Sequence, residues 1–221
     1  MLRRQMLTLP LLATATPARA EGEVDVLLVL AIDASGSITP EEFHLQREGC
    51  AEAVGHPSVL AAIAGGPAGA IGIAMVEWGA PGGAATVVEW HRVADAASAA
   101  IAAAAFRDAP RSRQSWNAIG DAIDHAARLI AAAPWRGAEK VIDISGDAPD
   151  MRGLRPASVA RDDAVASGIT INALAILGGT PGLEERYAAE VIGGPGAFVL
   201  AAEGRADFAR AIRAKLVREI A

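Results

Sequence analysis

Residues 24–32 read VDVLLVLAI, apolar at almost every position, and the chain then turns polar with Asp33-Ala34-Ser35-Gly36-Ser37. A run rich in Val, Leu and Ile without helical spacing predicts a strand buried on both faces of a parallel sheet. Comparable runs recur at 70–76, 140–145, 169–177 and 197–201. Residues 86–90 follow the turn Pro81-Gly82-Gly83 closely enough to form an antiparallel hairpin with the strand before it. Helical patterns fill the intervals. Thr39-Pro40-Glu41-Glu42 supplies an N-cap, a proline at the first helical position and a glutamate three residues after the cap, which opens a helix running to about Gly55. Further helices are predicted at 58–64, 95–106, from Asn117 through Ile130, at 156–167 before Gly168, and at 184–192. The last begins near Asp207 and carries Phe208, Ile212, Leu216 and Ile220 at a spacing of four, an apolar stripe that must dock on the sheet. Strands alternating with helices predict one doubly wound α/β domain, with a mostly parallel central sheet of about six strands and one antiparallel edge. No internal repeat or second domain interrupts it.

The first twenty residues break this pattern. Arg3 and Arg4 precede an apolar stretch at 6–12, and Ala18-Arg19-Ala20 has the small-x-small form of a cleavage signal. The segment reads as a secretory signal peptide cut after Ala20, leaving a domain over 21–221, and its apolar part is too short to span a bilayer. Arg3-Arg4-Gln5-Met6-Leu7 also admits the twin-arginine route, with the general secretory route preferred. The expected location is periplasmic or secreted. Losing three arginines and no acid takes the formal charge from −6 to −9, a balance that argues against nucleic acid or an anionic membrane as the main partner. Cys50 is the single cysteine, which excludes an intrachain disulfide and a cysteine-based zinc site and suits a buried packing thiol.

Because the polar end of the first strand falls at the carboxyl edge of the sheet, where open α/β sheets place ligands, Asp33, Ser35 and Ser37 form a candidate site. Alternating as D-x-S-x-S around Gly36, they aim three hard oxygens at one point, as a small divalent cation requires. This motif, with a strand before it and a capped helix after it, resembles the metal-ion-dependent adhesion site of von Willebrand factor A (vWA) domains. The similarity runs from about Val24 to the C-terminus and looks nearest to an uncharacterised exported bacterial branch. The resemblance implies two more loops. In the family one supplies a threonine three residues before a glycine. Here Asn117-Ala118-Ile119-Gly120 puts asparagine there, whose carbonyl is a neutral hard oxygen but whose reach differs. Ser115 is a fallback ligand, and Asn117 is equally readable as the N-cap of its helix. The other loop supplies an acidic residue, matched by Asp147, although Ala148 stands where glycine is usual.

The metal set implied is therefore Asp33, Ser35, Ser37, Asn117 and Asp147, holding Mg²⁺ first, with Mn²⁺ or Ca²⁺ as alternatives. Two carboxylates with neutral oxygens leave the cation partly unsatisfied, so that an acidic side chain of a protein ligand completes it. The expected function is non-catalytic binding of a protein. One alternative is the same fold with an impaired metal site, acting as a metal-independent interaction module. Another is a metal-dependent hydrolase, such as a phosphatase of the haloacid-dehalogenase type, against which Ser35 stands where a second aspartate is required. Asp150 is expected to be exposed. Asp143, inside an apolar strand, is expected to meet an arginine or to hydrogen-bond toward the site. His125 is expected to pair with Asp121 on a wet helical face. The four histidines show no zinc-type spacing, no G-x-S-x-G elbow surrounds Ser35, and Trp116 is expected at the rim of the site.

Overall fold

The structure is a computed structural model and describes residues 22–221; the expected leader at 1–20 lies outside the described residues. In chain order the elements are β1 (Glu23–Asp33), α1 (Pro40–Val54), α2 (Pro57–Gly65), β2 (Ile71–Trp78), β3 (Ala85–Val93), α3 (Ala96–Asp108), α4 (Ile119–Ala131), β4 (Arg136–Gly146), α5 (Ala157–Ala166), β5 (Thr170–Ile176), α6 (Leu183–Glu190), β6 (Val199–Ala202) and α7 (Phe208–Ile220), the last preceded by a 3-10 turn (Arg205–Asp207). The six strands lie in the order β3-β2-β1-β4-β5-β6. All pairs are parallel except β2 with β3. The alternation of apolar runs and helices thus yields the doubly wound sheet, with its antiparallel member at one edge.

Side chains of β1 alternate between two cores. Val26, Leu28, Leu30 and Ile32 pack with α1, α2, α3 and α7, whereas Leu27, Val29 and Ala31 pack with α4, α5 and α6. Burial on both faces is why β1 has no polar alternation. The α7 stripe Phe208, Ile212, Leu216 and Ile220 is buried in the first core. Two strands run longer than their apolar segments. β4 begins at Arg136, because Glu23 and Val24 of β1 pair with Arg136 and Gly137. β3 continues through His91 and Arg92, which pair with Ile73 and Gly72. As an edge strand with a wet face, β3 is not ended by polar residues.

Two buried ion clusters tie helices to the sheet. Arg47 of α1 donates from Nη2 to Glu77 Oε1 of β2 at 2.5 Å and from Nη1 to the Phe106 carbonyl at 3.1 Å. Glu77 Oε2 accepts from Ser112 N at 2.6 Å, which fixes the start of the loop leading to α4. In the second cluster Lys215 of α7 lies 2.5 Å from Glu219 Oε1 and 2.9 Å from Asp143 Oδ1, all three fully buried at their side chains. The contact to Asp143 is off the direction of a hydrogen bond and leaves both Asp143 oxygens without one. Asn172 Nδ2 donates to Glu219 Oε1 at 2.9 Å. The partner of Asp143 is therefore a lysine from the last helix, and neither an arginine nor the carboxyl-edge site.

At the amino edge of the sheet, Glu23 and Ala221 border one open cleft with the starts of β4 and β5. The carboxyl edge, at the other end of the strands, carries the loops described next.

Candidate metal centre

Asp33 is the last residue of β1 and is fully buried. Its Oδ1 accepts from Ser35 N at 2.8 Å, a turn closed by the side chain itself. Ser35 Oγ and Ser37 Oγ are 3.2 Å apart. Ser35 is buried and Ser37 exposed, so the oxygen set opens to solvent on the Ser37 side. The turn is short because α1 starts at once: Thr39 Oγ1 accepts from Glu42 N at 3.2 Å, and Glu42 Oε2 accepts from Thr39 N at 2.9 Å. The loop before α4 braces it from the other side. Gly36 N donates to the Ser115 carbonyl at 2.8 Å, and Arg111 Nη2 donates to the Ile38 carbonyl at 2.8 Å. Arg111 was not singled out by its sequence context, since its partners lie more than seventy residues away.

Asn117 is buried beside this turn, and its Nδ2 donates to Asp33 Oδ2 at 3.4 Å and to Ser35 Oγ at 3.3 Å. It does not cap α4. The N-cap position is Ala118, with no side-chain bond. Asp150, from the loop after β4, instead accepts from Ile119 N at 2.8 Å and Gly120 N at 3.3 Å, and from Ala157 N at the start of α5 at 2.9 Å. Asp150 is thus half-buried and structural, contrary to the expectation of an exposed side chain. Gly120 allows this approach, because a Cβ there would lie 2.2 Å from the Arg155 carbonyl oxygen. Ser115 contributes its carbonyl to Gly36, and no side-chain hydrogen bond to the site.

Asp147 stands just beyond β4. Its Oδ2 accepts from Arg205 Nη2 at 2.5 Å, while its Oδ1 is buried without a partner. Arg205 also bonds Glu42 Oε1 from Nε at 2.8 Å, bridging the first turn of α1 to the β4 loop. Burial drives the Asp33 pKa from 3.8 to about 7; the bonds from Ser35 oppose the rise, and the adjacent Asp147 carboxylate adds to it. Two acidic groups from different loops therefore meet, Asp33 fully buried and Asp147 half-buried, with one buried oxygen unclaimed. Elsewhere the structure corrects an expected pairing: His125 Nε2 lies 2.9 Å from Thr86 Oγ1, and Asp121 accepts from Gly82 N and Leu154 N. Asp121 is buried and is taken by these loops, so it leaves His125 to the edge strand.

A family model described as a protein of unknown function, DUF1194, matches residues 23–221. The chain belongs to the DUF1194 family. No curated protein matches it by sequence. Solved structures show that this DUF1194 chain has the fold of vWA domains. It is similar to proximal thread matrix protein 1 from the mussel byssus, with a zinc-occupied MIDAS motif (TM-score 0.68, 16% identity, 89% of this chain and 48% of that one). It is similar to a von Willebrand factor type A protein from Catenulispora acidiphila (TM-score 0.60, 20% identity, 90% and 43%). The vWF domain of the type V pili tip protein Mfa5 from Porphyromonas gingivalis is also similar (TM-score 0.59, 12% identity, 90% and 97%). The chain spans about half the length of the mussel protein.

The DUF1194 chain has the donors that a hard divalent ion takes. Among its described residues no group of three or more His, Cys, Asp or Glu side chains could hold a metal, so a cation here would depend on hydroxyl and amide oxygens beside two carboxylates. The unclaimed Asp147 Oδ1, the Ser35 and Ser37 hydroxyls and the long, weak bonds of Asn117 fit such an ion. Asn117 directs nitrogen at Asp33, and a half-turn of its amide would direct oxygen there instead.

Proposed function

We propose that the chain is an exported vWA-like domain that binds a protein ligand, without catalysis, through a divalent cation held by Asp33, Ser35, Ser37, Asn117 and Asp147. The observation that carries this reading is the meeting of Asp33 with Asp147, whose Oδ1 is buried and unpaired. Asp33 is fully buried beside a second carboxylate, and of the two Arg205 pairs only with Asp147, at Oδ2, so a proton or a cation is needed next to Asp33 and Asp147 Oδ1. Mg²⁺ suits the all-oxygen donor set best, with Mn²⁺ or Ca²⁺ next. Such an ion, bound by two carboxylates and neutral oxygens, would supply an open coordination position for a ligand carboxylate. Ser37 lies on the exposed side, where a ligand would approach, and Arg205 orients Asp147 from behind. The zinc-occupied motif of the mussel protein supports divalent binding in this fold.

Export rests on the leader expected at 1–20, and no helix among the described residues is long and apolar enough to cross a membrane. Calorimetric titration of Mg²⁺ and Mn²⁺ into the chain and its Asp33→Ala variant tests the reading: saturable binding by the parent, lost in the variant, is expected, and equal behaviour of the two would refute it. A second reading, a metal-independent interaction module, is favoured by Asn117 Nδ2, which already bonds both Asp33 and Ser35. It predicts no titration in either protein.

A further inference from the structure

The loop after Asp147 is fixed at both ends, yet it turns apolar side chains to solvent. Asp150 is engaged by the first turns of α4 and α5, Met151 N donates to the Asn117 carbonyl at 2.6 Å, and Leu154 N donates to Asp121 Oδ1 at 2.9 Å. Between these anchors Arg152 has φ +59°, the only non-glycine residue in the left-handed region among the described residues. From this loop Met151 is 42% and Leu154 75% exposed; Trp116, immediately before Asn117, is 44% exposed. The Arg152 guanidinium lies 4.1 Å from the Trp116 ring centroid. Leu154 also reaches over the turn after β2, since a Cβ on Gly82 would lie 3.4 Å from its Cδ1.

A strained, pinned loop that holds large apolar groups in water gains nothing from them in the free chain, whereas a preorganised contact surface has this character. Its charge is opposite to that of the molecule. The chain has a net charge of −6, but Arg113 and Arg152 in these loops are exposed, and neither forms an ion pair among the described residues. We propose that Trp116, Met151, Arg152 and Leu154 form a selective rim beside the Asp33 site, fitting a protein segment in which an acidic residue adjoins an apolar one. The acidic group points to the opening at Ser37, and its apolar neighbour covers Trp116 and Leu154. This inference rests on the cation reading of the Asp33 site.

The test uses short immobilised peptides with one central glutamate flanked by Phe and Leu or by Ser, each also made with glutamine in place of glutamate. The full chain is applied in Mg²⁺ or in EDTA. The expected result is Mg²⁺- and glutamate-dependent binding that is at least about tenfold tighter to the apolar-flanked peptide. That preference disappears in Trp116→Ser/Leu154→Ser, while the Mg²⁺ titration of this variant matches the parent. Equal affinity for both flanks, or no peptide binding by a chain that titrates with Mg²⁺, overturns the rim and leaves the cation site standing. Binding indifferent to glutamate, EDTA and Asp33→Ala overturns both.

Discussion

Asp33 sits where a proton and a metal ion would compete. Its folded pKa of about 7 lies above the ordinary 3.8, chiefly through burial, with Ser35 opposing and Asp147 assisting. The folded chain therefore holds this proton more tightly than the unfolded chain does, and the associated stability is full below about pH 4 and is lost as pH rises toward 7. Glu219 acts in the same direction, its pKa raised from 4.5 to about 7 by burial and by Asp143 against the opposing pull of Lys215. Denaturation without metal is thus expected to show stability falling from about pH 4 to pH 7. Mg²⁺ affinity should rise across the same window and level off above it, with proton release detectable by titration in buffers of different ionisation enthalpy. Asp33→Asn should weaken the proton linkage of the site and leave that of Glu219. Lys215→Met strands two buried carboxylates, and a loss of about 3–5 kcal/mol in urea denaturation is expected at neutral pH. Asp143 was conspicuous in the sequence as an acid within an apolar strand. Its partner was not, because Lys215 is 72 residues further on and sits among the ordinary basic residues of an amphipathic helix.

The helices differ in how their starts are secured. α1 carries its own capping box, Thr39 with Glu42, and could be read from four consecutive residues. α4 and α5 have Ala118 and Pro156 at their N-cap positions, which offer no side-chain cap, and both borrow the carboxylate of Asp150. Asp150→Ala removes the acceptor for three backbone N–H groups and is expected to cost about 2–3 kcal/mol, measured as a lower urea midpoint. Because α4 begins two residues after Asn117, the same change should also weaken Mg²⁺ binding. Local signals of the first kind were legible, whereas a cap donated from 30 residues away was not, and Asn117 stood in the place where a local N-cap is expected. Strand limits obey the same division. Apolar runs marked the strand centres, but the polar beginning of β4 and the polar end of β3 are held only by pairing with β1 and β2.

At the level of the molecule, the order of elements and the sidedness of the sheet were legible, because the buried strands are apolar over their centres apart from single polar residues such as Glu77, Asp143 and Asn172, and every crossover is helical. The D-x-S-x-S turn, the asparagine loop and Asp147 were legible one by one. Their convergence depends on β1 and β4 being neighbours, and the bracing by Arg111 and Arg205 appears only when loops far apart in the chain close over one edge. A ligand that binds only the folded form stabilises it by mass action, about 2.7 kcal/mol at a hundred times its dissociation constant. Saturating Mg²⁺ should therefore raise the thermal midpoint of the parent by several degrees and leave Asp33→Ala unmoved. The two ends of the described chain share the amino edge of the sheet, on the side away from Asp33. Tethering through either end, to a longer polypeptide or to a sensor chip, leaves the loops around Asp33 at the distal tip, facing outward and unshielded by whatever carries the domain.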